Sequence, residues 1–260
     1  MRISIITVCY NSAKTIEKTI QSVLDQDYPN LEYIIIDGGS TDGTIDVINK
    51  YQKKISKYIS EPDNGISDAF NKGLHLATGE IIGILNSDDW YEPDTLKTVS
   101  LELLNNTSYD YLVGSLRYWD KTGGSYIINP DKKYYKKIKY MMPRLNHPAS
   151  FFRKRVYTEI GLFNLNYLYA MDYDLFLRSF LAKKKPLFMN QVISNIALGG
   201  ASDVHAIAAY WETFKIATNK LLAFPFFLYS VFKYYIRQFL SNLKLNNLLL
   251  KIRKFKYKNK

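Results

Sequence analysis

Asn86-Ser87-Asp88-Asp89 follows the apolar run Ile81-Ile82-Gly83-Ile84-Leu85, and a second acidic cluster stands at Met171-Asp172-Tyr173-Asp174. A buried strand that runs out into two carboxylates sets hard oxygen ligands at the carboxyl edge of a sheet, where open α/β folds collect their ligands. A divalent cation and a diphosphate are the groups such an edge would bring together. Taken alone, Asn86 to Asp89 is a strand followed by a polar turn. It does not stand alone: Asp37 closes another apolar run, Leu31 to Ile36, and opens the tight loop Gly38-Gly39-Ser40-Thr41-Asp42-Gly43.

The elements that must position these acids alternate in type. Ser4 to Val8 reads as a buried strand, and Asn11 or Ser12 can cap a helix with Ile16, Ile20, Val23 and Leu24 on one face. Leu31 to Ile36 is a second strand, followed by a helix carrying Ile45, Ile48 and Tyr51. Tyr58-Ile59-Ser60 is a short third strand. A further helix, with Ile66, Ala69, Phe70, Gly73, Leu74 and Ala77 inward, leads to the strand at 81–85. Strands that are almost wholly apolar and alternate with helices specify an α/β fold, a mostly parallel central sheet covered by helices on both faces. After a helix marked by Leu96, Val99, Leu103 and Leu104 the pattern changes. Tyr111 to Tyr118 and Ser125 to Ile128 read as a hairpin turning at Lys121-Thr122-Gly123-Gly124. Ser150-Phe151-Phe152 reads as a strand and Asp172 to Leu181 as a helix, while Lys132 to Arg144 has no assignment.

The net charge of +11 is unevenly placed: residues 213–260 hold 11 of the 35 Lys and Arg and none of the 24 Asp and Glu. Two parts follow, a neutral domain over 1–212 and a basic, aromatic helical tail over 213–260 suited to an anionic surface. Leu221 to Leu240 is rich in Leu, Phe and Tyr, but Pro225, Lys233 and Arg237 argue against a membrane-spanning helix and for one lying in the membrane interface. The same composition suits a helix packed on the domain or in a homodimer. No nucleic-acid motif accompanies the charge. The single cysteine, Cys9, excludes a disulfide framework. The apolar run at the N-terminus is too short for a signal peptide, which places the expected protein in the cytoplasm, peripheral on the inner face of the membrane.

In order, Thr7-Val8-Cys9-Tyr10-Asn11, Asp37 to Thr44, Glu61 to Gly73, Gly79-Glu80, Asn86 to Asp89 and Met171 to Leu175 closely resemble the family 2 glycosyltransferases, inverting enzymes of GT-A fold. The resemblance covers roughly residues 2–200 and rests on order and spacing. It implies transfer of a sugar from a nucleotide diphosphate donor, UDP-linked by expectation, to a hydroxyl of a growing, lipid-linked cell-surface glycan, with Mn2+ or Mg2+ as cofactor. About 1–109 would be the nucleotide-sugar half and about 110–212 the acceptor half. The family's acidic motif makes Asp89 the metal ligand and sets Asp88 beside the ribose or in an assisting role, and Ser87-Asp88-Asp89, which departs from a strict Asp-x-Asp, leaves the division between the two acids open. Asp37 would accept a hydrogen bond from the base, with Thr7, Val8, Cys9, Tyr10 and Asn11 forming the other wall.

Donor contacts are also implied near Asp63, Asp68 and Lys72, where Asp63 or Asn64 could equally be a helix cap. Asp42 reads as a cap. Asp172 is the expected general base, standing where the family's Glu-Asp pair here reads Met171-Asp172. Asp174 is either an alternative or an ion-pair partner of Arg178, four residues on. His147 would line the acceptor side or be a structural histidine. A sugar-phosphate nucleotidyltransferase would want a glycine-rich loop after the first strand, and Thr7 to Thr15 contains no glycine. A non-catalytic nucleotide-binding membrane scaffold is disfavoured by the joint presence of Asp37, Asp88, Asp89 and Asp172.

Overall fold

The structure, a computed structural model, describes residues 1–120, 123–197 and 205–242. The hairpin turn at Lys121-Thr122, the pair Gly199-Gly200 and the basic run from Lys244 to Lys260 lie outside the described residues. Four parallel strands form the first half of a curled mixed sheet: β1 (Ile3–Cys9), β2 (Leu31–Asp37), β3 (Lys57–Ser60) and β4 (Ile81–Asn86), in the order β3-β2-β1-β4. The sheet continues through β8 (Ser150–Arg153), β6 (Tyr111–Trp119), β9 (Pro186–Ala197) and β5 (Asp89–Tyr91), with β7 (Ser125–Ile128) paired to the far end of β6.

The helices are α1 (Ile16–Leu24), α2 (Thr44–Asn49), α3 (Ile66–Leu76), α4 (Thr95–Asn105), α5 (Lys154–Ile160), α6 (Met171–Leu181), α7 (Ala206–Ile216) and α8 (Lys220–Asn242). Side chains alternate across a strand, so one apolar run can feed two cores. Ile3, Ile5, Ile35 and Leu85 pack with α1 and α4 on one face, whereas Ile6, Val8, Ile34 and Ile84 pack with α3 and α6 on the other. A Cβ on Gly73 would collide with Ile6, so the glycine inside α3 lets that helix lie close on β1.

Two strands differ from the sequence reading. β5 has three residues, too few to carry a periodicity, and forms by pairing with β9, Asp89 opposite Ile196. β9 lies in the unassigned stretch between the helix ending at Leu181 and the tail, and pairs parallel with β6, with register shifts near Ser115. Asn11 and Ser12 do not cap α1 with their side chains; Thr15 and Ile16 donate instead to the Ser12 carbonyl. The expected boundary at 212 falls inside α7, whose Ile216 joins the core of the α3 and α6 face.

Candidate active site

The carboxyl ends of β1, β2 and β4 lie side by side, and polar side chains lace their loops together. Asn11 N–H donates to Ser40 Oγ at 2.8 Å, and its Oδ1 accepts from Thr41 N–H at 2.9 Å. Ser12 N–H donates to Thr44 Oγ1 at 2.7 Å, and its hydroxyl shares a hydrogen bond with Ser87 at 2.8 Å, tying the first loop to the acidic pair. The side chains of Thr7, Val8 and Cys9 are buried, whereas the Tyr10 ring is 63% exposed and Asn11 lies at the surface.

Asp37 has no exposed surface. Its oxygens accept from the N–H groups of Gly39 and Ser40, from the hydroxyls of Ser40 and Ser60, and from the Cys9 thiol. Burial opposes its charge, yet these donors hold its pKa below the ordinary carboxylate value. In this geometry Asp37 organises the turn that follows β2. A base seeking this carboxylate would have to displace one of those donors. Burial first, and then the neighbouring Asp37 carboxylate, raises the Cys9 thiol pKa, so Cys9 is held neutral. Asp42 accepts from the Ala13 and Thr44 N–H groups, bracing the turn into α2, whose capping position is Gly43 rather than Asp42.

Asp63 comes against the same loop. A Cβ added to Gly38 would stand 2.5 Å from its Oδ2 and 3.5 Å from the Tyr10 ring, so a glycine there keeps room between the two. Asp63 Oδ1 also accepts from Gly65 N–H at 2.9 Å, where the chain turns into α3 at a φ of +100° that favours glycine. Asp68 accepts from Asn64 N–H at 3.0 Å. Lys72 pairs with Glu61 at 2.8 Å and donates to the Pro62 carbonyl at 3.1 Å, so its ammonium braces the 61–63 loop.

Asp89 is 2% exposed. Its Oδ2 accepts from Asn86 Nδ2 at 3.3 Å, while its Oδ1 and the Asn86 Oδ1 are both buried without a hydrogen-bond partner. Burial first, and then the charge of Asp88, raises the Asp89 pKa well above the usual carboxylate range. Half-buried Asp88, in the turn between β4 and β5, is raised by burial too. Two crowded carboxylates and an amide oxygen lacking a donor form a donor set that suits a hard cation. Among the described residues there is no cluster of three or more His, Cys, Asp or Glu able to hold a metal, which would leave the remaining coordination positions to phosphate oxygens and water.

Asp172 stands in the first turn of α6, half-buried, with Oδ1 accepting from Tyr173 N–H at 2.7 Å. Burial outweighs that hydrogen bond and raises its pKa to about 6. Asp174 is committed elsewhere: Arg178 Nε donates to it at 2.8 Å, and the same guanidinium donates to the carbonyls of Ile160, Gly161 and Leu162. His147 is buried between the rings of Phe70 and Phe163, at centroid distances of 5.6 and 5.8 Å, and burial lowers its pKa to about 4. It is therefore neutral at physiological pH.

Sequence reasoning assigned no role to Ser40, Ser60, Asn86 or Glu212. Asn86 was visible as the polar end of an apolar strand. Glu212 carries a subtler signal as the last acid before an all-cationic tail.

A curled α/β sheet with an acidic turn at its carboxyl edge defines the GT-A class of fold. The structure superposes on S. aureus TarS residues 1–349 in complex with UDP with a TM-score of 0.62 at 20% identity, covering 85% of this chain and 66% of that one. It matches the mannosyltransferase PcManGT from Pyrobaculum calidifontis, in complex with GDP-Man and Mn2+, with a TM-score of 0.66 at 18% identity, over 99% and 82% of the two chains. Residues 4–161 match glycosyl transferase family 2. A PGL/p-HBAD biosynthesis glycosyltransferase of Mycobacterium bovis (strain BCG / Pasteur 1173P2) is 30% identical over 184 residues, which is 68% of this chain and 69% of the relative. The chain belongs to glycosyl transferase family 2 and is a glycosyltransferase.

Proposed function

We propose that this enzyme moves one sugar, with inversion, from a UDP-sugar to a hydroxyl of a growing lipid-linked cell-surface glycan, using Mn2+ or Mg2+. The observation that carries this reading is the pair of unpartnered buried oxygens, Asp89 Oδ1 and Asn86 Oδ1, beside Asp88 at the edge of β4. Asp89 and Asp88 would hold the cation, which when bound neutralises the departing diphosphate. The exposed Tyr10 ring and Asp63 wall the base, on a loop that Asp37 stiffens. Asn11, Asp68 and Lys72 shape the rim of the donor pocket. Asp172 accepts the proton of the acceptor hydroxyl as the new bond forms, and its raised pKa brings its basicity closer to that task. Asp174 and His147 act behind it, Asp174 by anchoring Arg178 and His147 as a neutral packing group on the acceptor side.

The complexes of TarS with UDP and of PcManGT with GDP-Man support a nucleotide-sugar donor. The test is a screen of nucleotide sugars for hydrolysis or transfer with Mn2+, with Mg2+ and in chelator. Metal-dependent release of UDP is the expected result. Turnover undiminished by chelator would overturn the metal, and turnover of GDP-sugars alone would overturn the donor.

The tail reading extends this. No helix among the described residues is long and apolar enough to cross a membrane. On α8, Leu221, Phe224, Leu228, Phe232, Tyr235 and Phe239 are all exposed and recur at three- and four-residue spacing, which is one stripe of a helix. With 11 cations and no acid over 213–260, an anionic membrane surface is the partner this stripe fits, at roughly 1 kcal/mol for each cation near the surface. The full chain should sediment with anionic vesicles at low salt and be partly released at high salt. A Leu228→Ser/Phe232→Ser/Phe239→Ser variant should stay in the supernatant while still binding UDP. Equal sedimentation of both proteins would remove the stripe from the membrane, and loss of self-association in the variant would assign it to a homodimer.

A further inference from the structure

The segment that delivers Asp172 is held by a residue the transfer step does not use. The N–H groups of Leu168, Tyr169 and Ala170 all donate to the Glu212 carboxylate of α7, at 3.0, 2.8 and 2.9 Å. Ala170 immediately precedes α6, and Asp172 is the second residue of that helix. Three successive N–H groups converging on one anion form a concavity that a neutral side chain fills poorly, because each bond is strengthened by the charge. The same segment is gripped a second time just ahead of α7, where the ring of His205, the residue preceding that helix, stacks on that of Tyr169 at a centroid distance of 5.1 Å.

Its other side is tied to α3. Ser67 Oγ donates to the Tyr167 carbonyl at 2.9 Å, and the Asn71 amide both donates to and accepts from the Phe163 backbone at 2.9 Å. The approach to α6 is thus strung between α3, which carries Asp68 and Lys72, and the helix that leads to the tail. Behind α7, Trp211 and Phe214 pack on Phe227 of α8 at 5.6 and 5.7 Å.

We propose that Glu212 is a positioning residue for transfer: its carboxylate fixes residues 168–170 so that Asp172 meets the acceptor hydroxyl, and it makes α7 part of the catalytic unit. This rests on Asp172 being the base. A small misplacement of a reacting group is costly, so Glu212→Gln, which keeps the shape but removes the charge and turns an NH2 donor toward at least one of the three N–H groups, should lower kcat by about tenfold to 10². Donor KM and UDP affinity should stay within about twofold, since the nucleotide pocket is built elsewhere. Glu212→Asp, which keeps the charge, should recover part of the lost kcat.

Steady-state kinetics, UDP titration and thermal melting of the full-length variants decide the matter, with Asp172→Asn measured in parallel. Unchanged kcat in Glu212→Gln while Asp172→Asn is inactive overturns the role of Glu212 alone. Parallel loss of kcat, UDP affinity and melting temperature in both Glu212 variants also overturns it, by reducing the residue to a fold contact. Full activity in Asp172→Asn removes the base, and the positioning role falls with it.

Discussion

Asp172→Asn should keep donor binding and lose transfer, with kcat falling by ~10² or more. The amide fills the same space at the start of α6 and can still accept from the Tyr173 N–H that Asp172 engages at 2.7 Å. It cannot take a proton. The wild-type enzyme adds a second signature, because burial raises the Asp172 pKa to about 6. Only the ionised carboxylate is a base, so kcat should rise with pH through about 6 and be lost below it. In the variant that acid limb should vanish from the residual rate. A near wild-type rate would transfer the role to another group. Asp174 is poorly placed to inherit it, since Arg178 holds it in an ion pair at 2.8 Å.

Asp89→Ala should abolish the metal-dependent part of UDP binding. A diphosphate brought to two carboxylates without a cation meets like charge, and the cost rises where water is excluded. Ligand present at a hundredfold over its dissociation constant stabilises a fold by about 2.7 kcal/mol. The wild type should therefore melt higher with UDP and Mn2+ together, and the variant should not. Calorimetry with metal and in chelator provides the direct comparison. Equal metal-dependent affinity in Asp89→Ala would take Asp89 out of the site and leave Asp88 as the ligand.

The metal-free chain should reveal the same carboxylate from the stability side. Asp89 is disfavoured as an anion by burial and by Asp88, so its folded pKa lies above the unfolded value. Stability from such a group is present below the unfolded pKa and is lost as pH rises toward the folded one. Asp89→Asn should accordingly gain on the wild type as pH climbs from the ordinary carboxylate range, provided no cation is present.

Much of this was legible locally. Apolar runs ending in Asp37 and in Asn86 to Asp89 are strands whose last residues must stand at one edge of a parallel sheet, because every strand of such a sheet points the same way. The pairing of Asp174 with Arg178 follows from four-residue spacing on a helix. Strand β5 and strand β9 were not legible, since three residues carry no period and the β9 register depends on partners more than seventy residues away.

The sequence by itself determined the family, the order of the helices and strands in the first half, and the acids available at the sheet edge, because periodicity and residue type are local properties. Tertiary structure alone decided how those acids are engaged. Asp37 is consumed by five donors from its own loop, β3 and β1, Asp89 is buried with one oxygen left open, and Asp172 has its proton affinity raised by burial. It also decided that Glu212, remote in sequence, reaches the backbone in front of Asp172. Desolvation and hydrogen-bond supply depend on which groups from distant segments arrive at the same place, and no spacing along the chain encodes that.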